Sequence, residues 1–391
     1  MNKIWSNQTK RVGFQLARGV VGVFSLGIAC LSLPAFAQIV PDSTLGNESS
    51  QVTPNVNVGG SLGDRIDGGA VRGSSLFHSF SEFNVNNGQR VYFADPAGIE
   101  NIFSRVTGSN ISNILGTLGV EGAANLFLLN PNGILFGQNA RLDIQGSFVA
   151  STGDRFVFPD GMEFGASNPQ APPLLTMSVP VGVQYGAQSG AITNAGNLEV
   201  GSGQTLALQG SDVTSTGSLS APGGTVMILG DRIGLFDNAQ INVSSQTGGG
   251  TVLIGGGLQG NGTVPNAART FVDAGVQIEA DALVTGDGGS VIIWADEVTG
   301  FYGNISARGG IEAGNGGFVE VSGKENLIFR GNVDTSASQG NPGTLLLDPE
   351  NITIVNGNGS ADNSQLDDSQ ILQGDGGASS FTISQTKLEE L

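Results

Sequence analysis

Residues Asn125–Gly137 read N-L-F-L-L-N-P-N-G-I-L-F-G, and this stretch decides the fold. Two short apolar runs, Leu126–Leu129 and Ile134–Phe136, flank a four-residue turn, Asn130–Gly133. Within the turn, Pro131 presets φ at the second position, and the first asparagine can bond the backbone two residues on. Each run is apolar at consecutive positions, which is typical of strands buried on both faces, as in parallel sheets. The stretch therefore predicts two buried strands in a fixed register, with an ordinary hairpin as the alternative.

The second half of the chain repeats. A G-G-[TSF]-V motif, with the variant P-G-T-L, recurs with its second glycine at Gly224, Gly250, Gly289, Gly317 and Gly343. The spacings are 26, 39, 28 and 26 residues, and the long one contains a polar insert near 259–268. A second apolar segment recurs in each period, at Ile241–Val243, Val276–Ile278, Ile305–Ala307 and Val333–Thr335. Two or three short strands per repeat of about 26 residues predict a β-solenoid.

The composition agrees with many short strands joined by glycine turns. Glycine contributes 63 of 391 residues, and 39% of the residues are hydrophobic. That apolar content is too high for a disordered chain, and the glycines lack the G-x-y period of collagen. A mature chain of about 354 residues, at about 26 residues per turn, predicts about 13–14 rungs.

Two further blocks flank the Asn130 turn. Asn101–Leu118 reads N-I-F-S-R-V-T-G-S-N-I-S-N-I-L-G-T-L, and Leu142–Asp154 reads L-D-I-Q-G-S-F-V-A-S-T-G-D. With the turn between them, this ordered series strongly resembles the haemagglutination-activity, or two-partner-secretion, domain of filamentous-haemagglutinin-type exoproteins. The N-P-N-L tetrapeptide that some members carry upstream is absent. The chain is therefore closer to the branch of high-molecular-weight adhesins and their cyanobacterial relatives.

The resemblance implies an all-β fold, a right-handed parallel β-helix. We expect a secretion domain at 38–186 and continuing β-helix repeats at 187–391. Residues from Gln38 to about Ser61 are expected to form an N-terminal cap over the open strand edge. The proline-rich residues 155–186 are expected to form loops or hairpins outside the helix. No closing unit is visible in T-K-L-E-E-L at the end, which predicts a shortened or split member; a small C-terminal helix acting as cap is the alternative.

The resemblance also implies a recognition motif for export. An outer-membrane two-partner transporter is the expected partner, and its periplasmic domains are expected to bind the unfolded chain by strand addition. The motif residues carried over are Asn101, Arg105, Gly108, Asn110, Gly116, Asn130, Pro131, Asn132, Gly133 and Ile134.

Residues 1–37 have the pattern of a secretory signal peptide. A basic segment precedes the apolar core Gly19–Leu33, and Ala35–Ala37 is an A-x-A site, which places cleavage between Ala37 and Gln38. An apolar core of about 15 residues is shorter than the roughly 20 residues that span a bilayer. Cys30 has no lipobox around it, because Gly27 stands where Leu or Val is expected.

Cleavage leaves a strongly acidic chain without cysteine. Removal of four basic residues leaves 12 of the 16, against 34 acidic residues, so the net charge becomes −22 (12 − 34). This charge argues against nucleic-acid binding and against membrane insertion of the mature chain. A chain without cysteine also avoids disulfides that would block its passage, unfolded, through a pore.

No catalytic or cofactor motif is present. The single histidine, His78, has no nucleophile motif near it and is expected to be a packed or surface side chain. Asp287 and Asp334 lie near glycines, but the calcium-binding G-G-x-G-x-D pattern is missing, so neither metal nor cofactor is expected. The carboxylates are scattered at turns instead of clustered as in a β-helix lyase or glycoside hydrolase, which is the alternative function.

We therefore expect a non-catalytic exoprotein, secreted to the surface of a Gram-negative-type cell. Its role is expected to be adhesive or surface-structural, with a host cell or an extracellular polysaccharide as the contacted surface. The delivery stem of a contact-dependent toxin is a third interpretation, but no C-terminal catalytic domain follows. A stacked solenoid provides a long surface for such partners.

Overall fold

The computed structural model describes residues 38–159, 161–170, 182–184, 189–347, 352–355, 370–372 and 381–384. Two compact units divide the chain, Met1–Phe36 and Ala37–Leu391, and all described residues belong to the second unit. The predicted signal peptide and its cleavage site at Ala37 therefore lie outside the described residues.

The second unit is built from three long sheets. Sheet A contains β1 (Ile39–Pro41), β4 (Ala70–Arg72), β5 (Ser75–Phe83), β7 (Asn101–Val106), β10 (Asn125–Leu129), β13 (Phe148–Ser151), β19 (Thr205–Gln209), β22 (Thr225–Leu229), β25 (Thr251–Ile254), β28 (Ser290–Ala295), β31 (Phe318–Gly323) and β34 (Thr344–Leu346). Sheet B contains β2 (Ser50–Val58), β3 (Ser61–Gly68), β6 (Arg90–Phe93), β9 (Thr117–Val120), β12 (Arg141–Asp143), β18 (Asn197–Glu199), β21 (Ser218–Ser220), β24 (Gln240–Asn242), β27 (Gln277–Glu279), β30 (Asn304–Ser306) and β33 (Asn332–Asp334).

Sheet C and two small sheets complete the unit. Sheet C contains β8 (Ser112–Ile114), β11 (Ile134–Phe136), β17 (Ile192–Asn194), β20 (Asp212–Ser215), β23 (Arg232–Leu235), β26 (Arg269–Val272), β29 (Val298–Phe301), β32 (Asn326–Phe329) and β36 (Gln370–Leu372). The small sheets are β14 (Arg155–Val157) with β15 (Glu163–Gly165) and β16 (Gly182–Gln184), and β35 (Ile352–Val355) with β37 (Phe381–Ser384). The described residues include no α-helix, only a 3-10 turn at Leu258–Gly260, and none of their helical segments could span a bilayer.

The chain visits the three sheets in the order A, C, B in each turn. Strands β10, β11 and β12 show this order, and β13 then returns to sheet A and pairs parallel with β10, with Leu126 opposite Phe148. The inward-facing aliphatic and phenylalanine side chains form one continuous core along the coil. The predicted parallel β-helix is confirmed. The Asn130 turn is a corner between sheets A and C, so the hairpin alternative is wrong.

The glycine repeat, which predicted a β-solenoid, sets the register of sheet A. The residues that follow the repeated glycines pair in one row: Thr225, Thr251, Ser290, Phe318 and Thr344. The predicted alignment of the second apolar segment is wrong by two residues in one period. The repeat in the sequence aligns Ile241 with Val276, but in the structure Ile241 pairs with Ile278. Sheet A has ten strands from β5 to β34 in the described part of the chain, fewer than the about 13–14 rungs predicted. Three things contribute to the difference: residues 38–74 form the cap, two insertions lengthen two turns, and most residues after 347 lie outside the described part of the chain.

The first rung is covered by antiparallel strands. Strand β1 pairs with β5, and β2 pairs with β3, so the chain's own N-terminal residues occupy the sheet edges at this end. This confirms the predicted cap, which protects the edges from pairing with other chains. The proline-rich region contributes the hairpin β14–β15, which lies outside the helix as predicted and pairs on its other side with β16.

At the opposite end, β36 pairs antiparallel with β32, the last parallel strand of sheet C. Strands β35 and β37 pair parallel with each other. The final T-K-L-E-E-L segment lies outside the described residues, so the prediction of a shortened or split chain stays a prediction.

Candidate functional site

The Asn130 turn is fastened by its own amide side chains. The amide oxygen of Asn130 accepts from the backbone N–H of Asn132 at 3.0 Å, and the N–H of Gly133 donates to the carbonyl of Asn130 at 3.1 Å. The first of these bonds is the local bond expected from the sequence. Gly133 has φ +132°, a conformation that favours glycine. Proline, asparagine and glycine therefore each meet a distinct backbone requirement.

The same asparagines join the turn to the corner of the rung before it. The amide nitrogen of Asn130 donates to the carbonyl of Asn110 and to the hydroxyl of Ser112, both at 3.0 Å. The amide nitrogen of Asn132 donates to the carbonyl of Gly108 at 2.8 Å. Asn130 is fully buried, and each of its amide atoms has at least one partner. In the folded protein these side chains hold successive corners together.

Two glycines of the motif occupy tightly packed backbone positions, Gly108 in the corner before the Asn130 turn and Gly116 between β8 and β9. A Cβ added at Gly108 would lie 2.1 Å from the carbonyl oxygen of Ser81, and one at Gly116 would lie 2.3 Å from that of Gln89. On the other side, the N–H of Gly190 donates to the carbonyl of Pro131 at 2.7 Å, so the turn is bonded to the rung after it as well. Asn110 is exposed and Ile134 is buried in the core.

Asn101 belongs to a different row of side chains. Its amide oxygen accepts from the side chain of Asn125 at 2.9 Å, and the amide oxygen of Asn125 accepts from the backbone of Ser147 at 2.8 Å. The hydroxyl of Ser147 then donates to Gln204 at 3.0 Å. The row crosses four successive rungs at the start of the sheet A strands, apart from the Asn130 corner. The predicted motif residues therefore do not form a single site.

Arg105 is the one charged residue of the motif, and it is buried. Its guanidinium donates to the hydroxyl of Ser79 at 3.0 Å, to the carbonyl of Gly165 at 2.8 Å and to the hydroxyl of Thr44 at 2.9 Å, with 0% exposure. It also lies over the ring of Phe164, 4.3 Å from the centroid. These partners belong to the cap, the first rung and the hairpin. Arg105 thus joins three parts of the chain that lie up to 61 residues away from it in sequence.

Asp42 supplies the negative charge near this cation. Its carboxylate accepts from Thr44, from Ser79 at 2.9 Å and from Thr107 at 2.6 Å, and so reaches Arg105 through shared hydroxyls. Burial alone would raise the pKa of Asp42, but these hydrogen bonds together hold it below its ordinary value. Burial lowers the pKa of Arg105 to about 10, with the charge of Asp42 acting in the opposite direction. Sequence reasoning missed Asp42, Thr44 and Ser79, whose only local signal is the D-x-T turn at 42–44.

The hairpin β14–β15 completes a second hydrophobic core outside the helix. Phe77, Phe103 and Phe127 stack on successive sheet A strands, with ring centroids 5.1 and 4.6 Å apart. The hairpin covers them with Phe156, Phe158 and Phe164, all at most 1% exposed. Both faces of β10 are therefore buried, which explains the consecutive apolar residues at 126–129.

His78 is a packed histidine, as expected. It is completely buried, its Nδ1 lies 3.0 Å from the hydroxyl of Ser50, and Nε2 has no hydrogen-bond partner. Burial lowers its pKa to about 3. Between pH 6.5 and 3 the unfolded chain therefore binds a proton that the folded protein does not, so stability is lost as the pH falls through this window.

Replacing His78 with Gln should remove this pH dependence. The wild-type free energy of unfolding, from urea denaturation, is expected to fall by roughly 1–2 kcal/mol between pH 6.5 and pH 5. His78 is the only histidine, so H78Q should show a much flatter profile over that range. Parallel profiles for the two proteins would contradict the account of His78.

Among the described charged groups, Asp281 and Arg308 are the pair that most resembles the carboxylate and cation of a β-helix enzyme site. They line a cavity of about 210 Å³. Both oxygens of Asp281 are occupied, by Ser306 at 2.6 Å and by the backbone and guanidinium of Arg308 at 2.7 Å. Burial raises the pKa of Asp281, but these bonds outweigh it, and the pKa lies below its ordinary value. The arrangement is an ion pair that fastens two rungs. No cluster of three metal-ligating side chains occurs among the described residues.

Comparison with known proteins shows the family. Residues 37–286 match the sequence profile of the TPS secretion domain. A stretch of 69 residues is 33% identical to the Heme/hemopexin-binding protein of Haemophilus influenzae, spanning 18% of this chain and only 7% of that protein. The chain belongs to the TPS secretion domain family, the two-partner-secretion exoproteins of filamentous-haemagglutinin type. Members are secreted with the help of an outer-membrane transporter.

Two solved structures resemble the chain. The HMW1 secretion domain from Haemophilus influenzae is 21% identical, with a TM-score of 0.38, over 76% of this chain and 99% of that one. The filamentous hemagglutinin secretion domain is 16% identical, with a TM-score of 0.35, over 78% of this chain and 100% of that one. The assignment of the β-helix rests on the strand pairing described above.

Proposed function

We propose that the transporter's periplasmic domains bind the motif residues before the chain folds. The observation that carries this proposal is the burial of two motif residues. Asn130 and Arg105 have 0% exposure, and the side-chain nitrogens of both donate to other parts of the fold. A partner that reads these side chains must therefore meet them in the unfolded chain. Strand addition supplies the affinity, because main-chain hydrogen bonds form along an extended segment.

After passage through the pore, the same residues start folding. The corner at Asn130 bonds to the corner before it through Asn130 and Asn132, so the earlier corner, once formed, is a template for this one. The antiparallel cap covers the first rung, and Arg105 joins it to the hairpin. The N-terminal domain then serves as secretion signal and as folding nucleus. Residues 1–37 act earlier, as a signal peptide cleaved between Ala37 and Gln38 that directs the chain to the periplasm.

The secreted protein is a non-enzymatic adhesin or surface-structural protein, at the surface of a Gram-negative-type cell. Carboxylates of the described residues serve turns and ion pairs, as Asp281 does with Arg308. The contacted surface is that of a host cell or an extracellular polysaccharide. A binding assay on cells and polysaccharides tests this role. Depolymerisation of a polysaccharide by the purified chain, abolished by one Asp→Asn change, would favour a lyase or hydrolase instead.

Replacing Asn130 and Asn132 together with Ala is expected to reduce secretion several-fold. The double variant removes the side chains that the transporter reads, and it also removes bonds between corners, which together stabilise the fold by roughly 2–4 kcal/mol. Secretion is measured by quantitative blotting of medium and periplasm in cells that carry the cognate transporter.

Two control variants separate recognition from folding. Asn139→Ala changes an exposed asparagine with one contact, to Asn87, and should be exported normally. Phe148→Ala destabilises the core outside the motif by about 3–5 kcal/mol and should reduce secretion much less than the double variant. Export of the double variant at the wild-type level would contradict the assignment of the motif. Equal losses of secretion for the double variant and for Phe148→Ala would show that impaired folding alone causes the loss.

A further inference from the structure

Three aromatic rings form a strip on the outer face of sheet C. Phe236, Phe271 and Tyr302 lie on consecutive rungs, and their ring centroids are 5.5 and 5.6 Å apart. Phe236 is 38% exposed and Phe271 is 37% exposed, while Tyr302 is half-buried. The six phenylalanines of the second core are buried between sheet A and the hairpin, whereas this aromatic strip faces solvent. Among the other phenylalanines of the described residues up to 347, all are buried except the half-buried Phe318, so a row of exposed aromatic rings stands apart from the rest of the fold.

Glycines beneath the rings determine their position. Gly234 and Gly300 are the register partners of Phe271 on the neighbouring strands. A Cβ at Gly234 would lie 2.3 Å from the ring of Phe236, and one at Gly300 would lie 3.2 Å from the ring of Phe271. The rings thus lie against bare backbone and present their other faces outward. Each of the three rungs therefore contributes one aromatic ring to the strip, and the two glycines leave room for the rings.

Polar groups line both margins of the strip. On one side are the ion pairs Arg232–Asp212, at 2.8 Å, and Arg269–Glu297, at 2.7 Å. On the other side the exposed carboxylate of Asp237 follows Phe236 along the chain. One margin therefore offers exposed donors and acceptors, and the other offers an exposed acceptor, beside an apolar centre. This combination suits a ligand with apolar faces and hydroxyl groups at its edges.

We propose that the aromatic strip binds a neutral polysaccharide, with successive sugar rings stacked on Phe236, Phe271 and Tyr302. The ring spacing is close to the advance of a polysaccharide per sugar unit, and the apolar faces of sugars stack on aromatic rings while their hydroxyls bond to the margins. The mature net charge of −22 (12 − 34) disfavours an anionic polymer. The rings are tilted by 31° and 45° to one another, so the strip fits a single twisted chain better than a flat crystalline surface. This inference rests on the proposed adhesive role and deepens it by naming the surface and the partner.

The test is affinity electrophoresis of the mature chain in native gels that contain one soluble neutral polysaccharide each: hydroxyethyl cellulose, glucomannan, xyloglucan or dextran. At least one should retard the wild type, and the triple variant F236A/F271A/Y302A should lose about tenfold or more in affinity. Gly234→Ala should also weaken binding, because it displaces the ring of Phe236 without removing it. Leu283→Ala with Ile311→Ala, which removes exposed apolar side chains elsewhere, should change nothing.

Thermal unfolding of each variant shows whether its fold is intact, and the outcomes are distinct. If a polysaccharide retards the triple variant as much as the wild type, the aromatic strip is not the binding surface, although adhesion to polysaccharide stands. Binding to cells without retardation by any of the four polymers would overturn the polysaccharide assignment. Absence of binding to cells and polymers would remove the adhesive role too. A wild-type dimer that the triple variant converts to monomer, without retardation, would assign the strip to self-association and overturn the proposal.

Discussion

Replacing Arg105 with Ala is expected to lower the free energy of unfolding by about 3–5 kcal/mol, the range for removing one partner from a buried charged network. The guanidinium donates to Ser79, Thr44 and the carbonyl of Gly165. Its loss leaves these buried acceptors without their donor, and it removes the hydrogen bonds that connect the cap and the hairpin to the first rung. Urea denaturation followed by circular dichroism of the mature chain measures the change.

Two arginine variants are the controls. Arg232→Ala removes an ion pair whose arginine side chain is 65% exposed and should cost only about 0–1 kcal/mol. Arg105→Lys keeps the positive charge but loses the planar fork, so it should lie between wild type and R105A. A loss below about 1 kcal/mol for R105A would contradict the role of Arg105 as the link between cap, rung and hairpin.

Replacing Phe103 with Ala should have a comparable effect, about 3–5 kcal/mol. Phe103 lies in the middle of the second core, stacked between Phe77 and Phe127 and in contact with Phe156 and Phe158 of the hairpin region. The cavity left behind would loosen the hairpin from sheet A. We therefore expect faster limited proteolysis within 155–165 as well as a lower free energy of unfolding.

Phe271→Ala is the matched control for this prediction. It removes the same ring from a partly exposed position in the same kind of strand, where it stacks on Phe236 and Tyr302, and it should lower the free energy of unfolding by about 1 kcal/mol, well below the loss for F103A. Equal losses for the two variants, or unchanged proteolysis of F103A, would show that the hairpin is held by its strand pairing and not by the second core.

The repeating part of the fold could be predicted because its determinants are local. One glycine motif per period sets the register of sheet A. The Asn130 turn makes its local hydrogen bonds within four residues, so they could be predicted from the sequence. The displaced pairing of Ile241 with Ile278 shows the limit, since apolar residues at alternate positions fit a strand equally well in two registers that differ by two residues.

The parts that were missed depend on contacts between distant residues. Arg105 and Gly165 are 60 residues apart, and no sequence pattern near either residue indicates the hydrogen bond between them. The prolines predicted an element outside the helix but not its role as the cover of Phe77, Phe103 and Phe127. Asp42 was missed for the same reason, because its partners Ser79 and Thr107 come from different rungs.

Burial of the motif has a consequence for the order of events in secretion. Of the residues that we propose the transporter reads, Asn130 and Arg105 are not accessible once the corner at Asn130 has closed. Recognition and folding then compete for the same side chains, and folding after exit makes return through the pore unfavourable. This order requires no disulfide, and Cys30, the single cysteine of the sequence, lies within the predicted signal peptide.

The most direct test is the binding of the transporter's purified periplasmic domains to the mature chain during refolding. The chain is diluted from urea, and binding is recorded by fluorescence anisotropy at increasing delays, beside the regain of circular dichroism. Binding should be strong at the earliest times and should disappear at the rate of folding, and N130A/N132A should bind weakly at all times. Equally tight binding to the fully folded chain would contradict the claim that the motif is read before the β-helix forms.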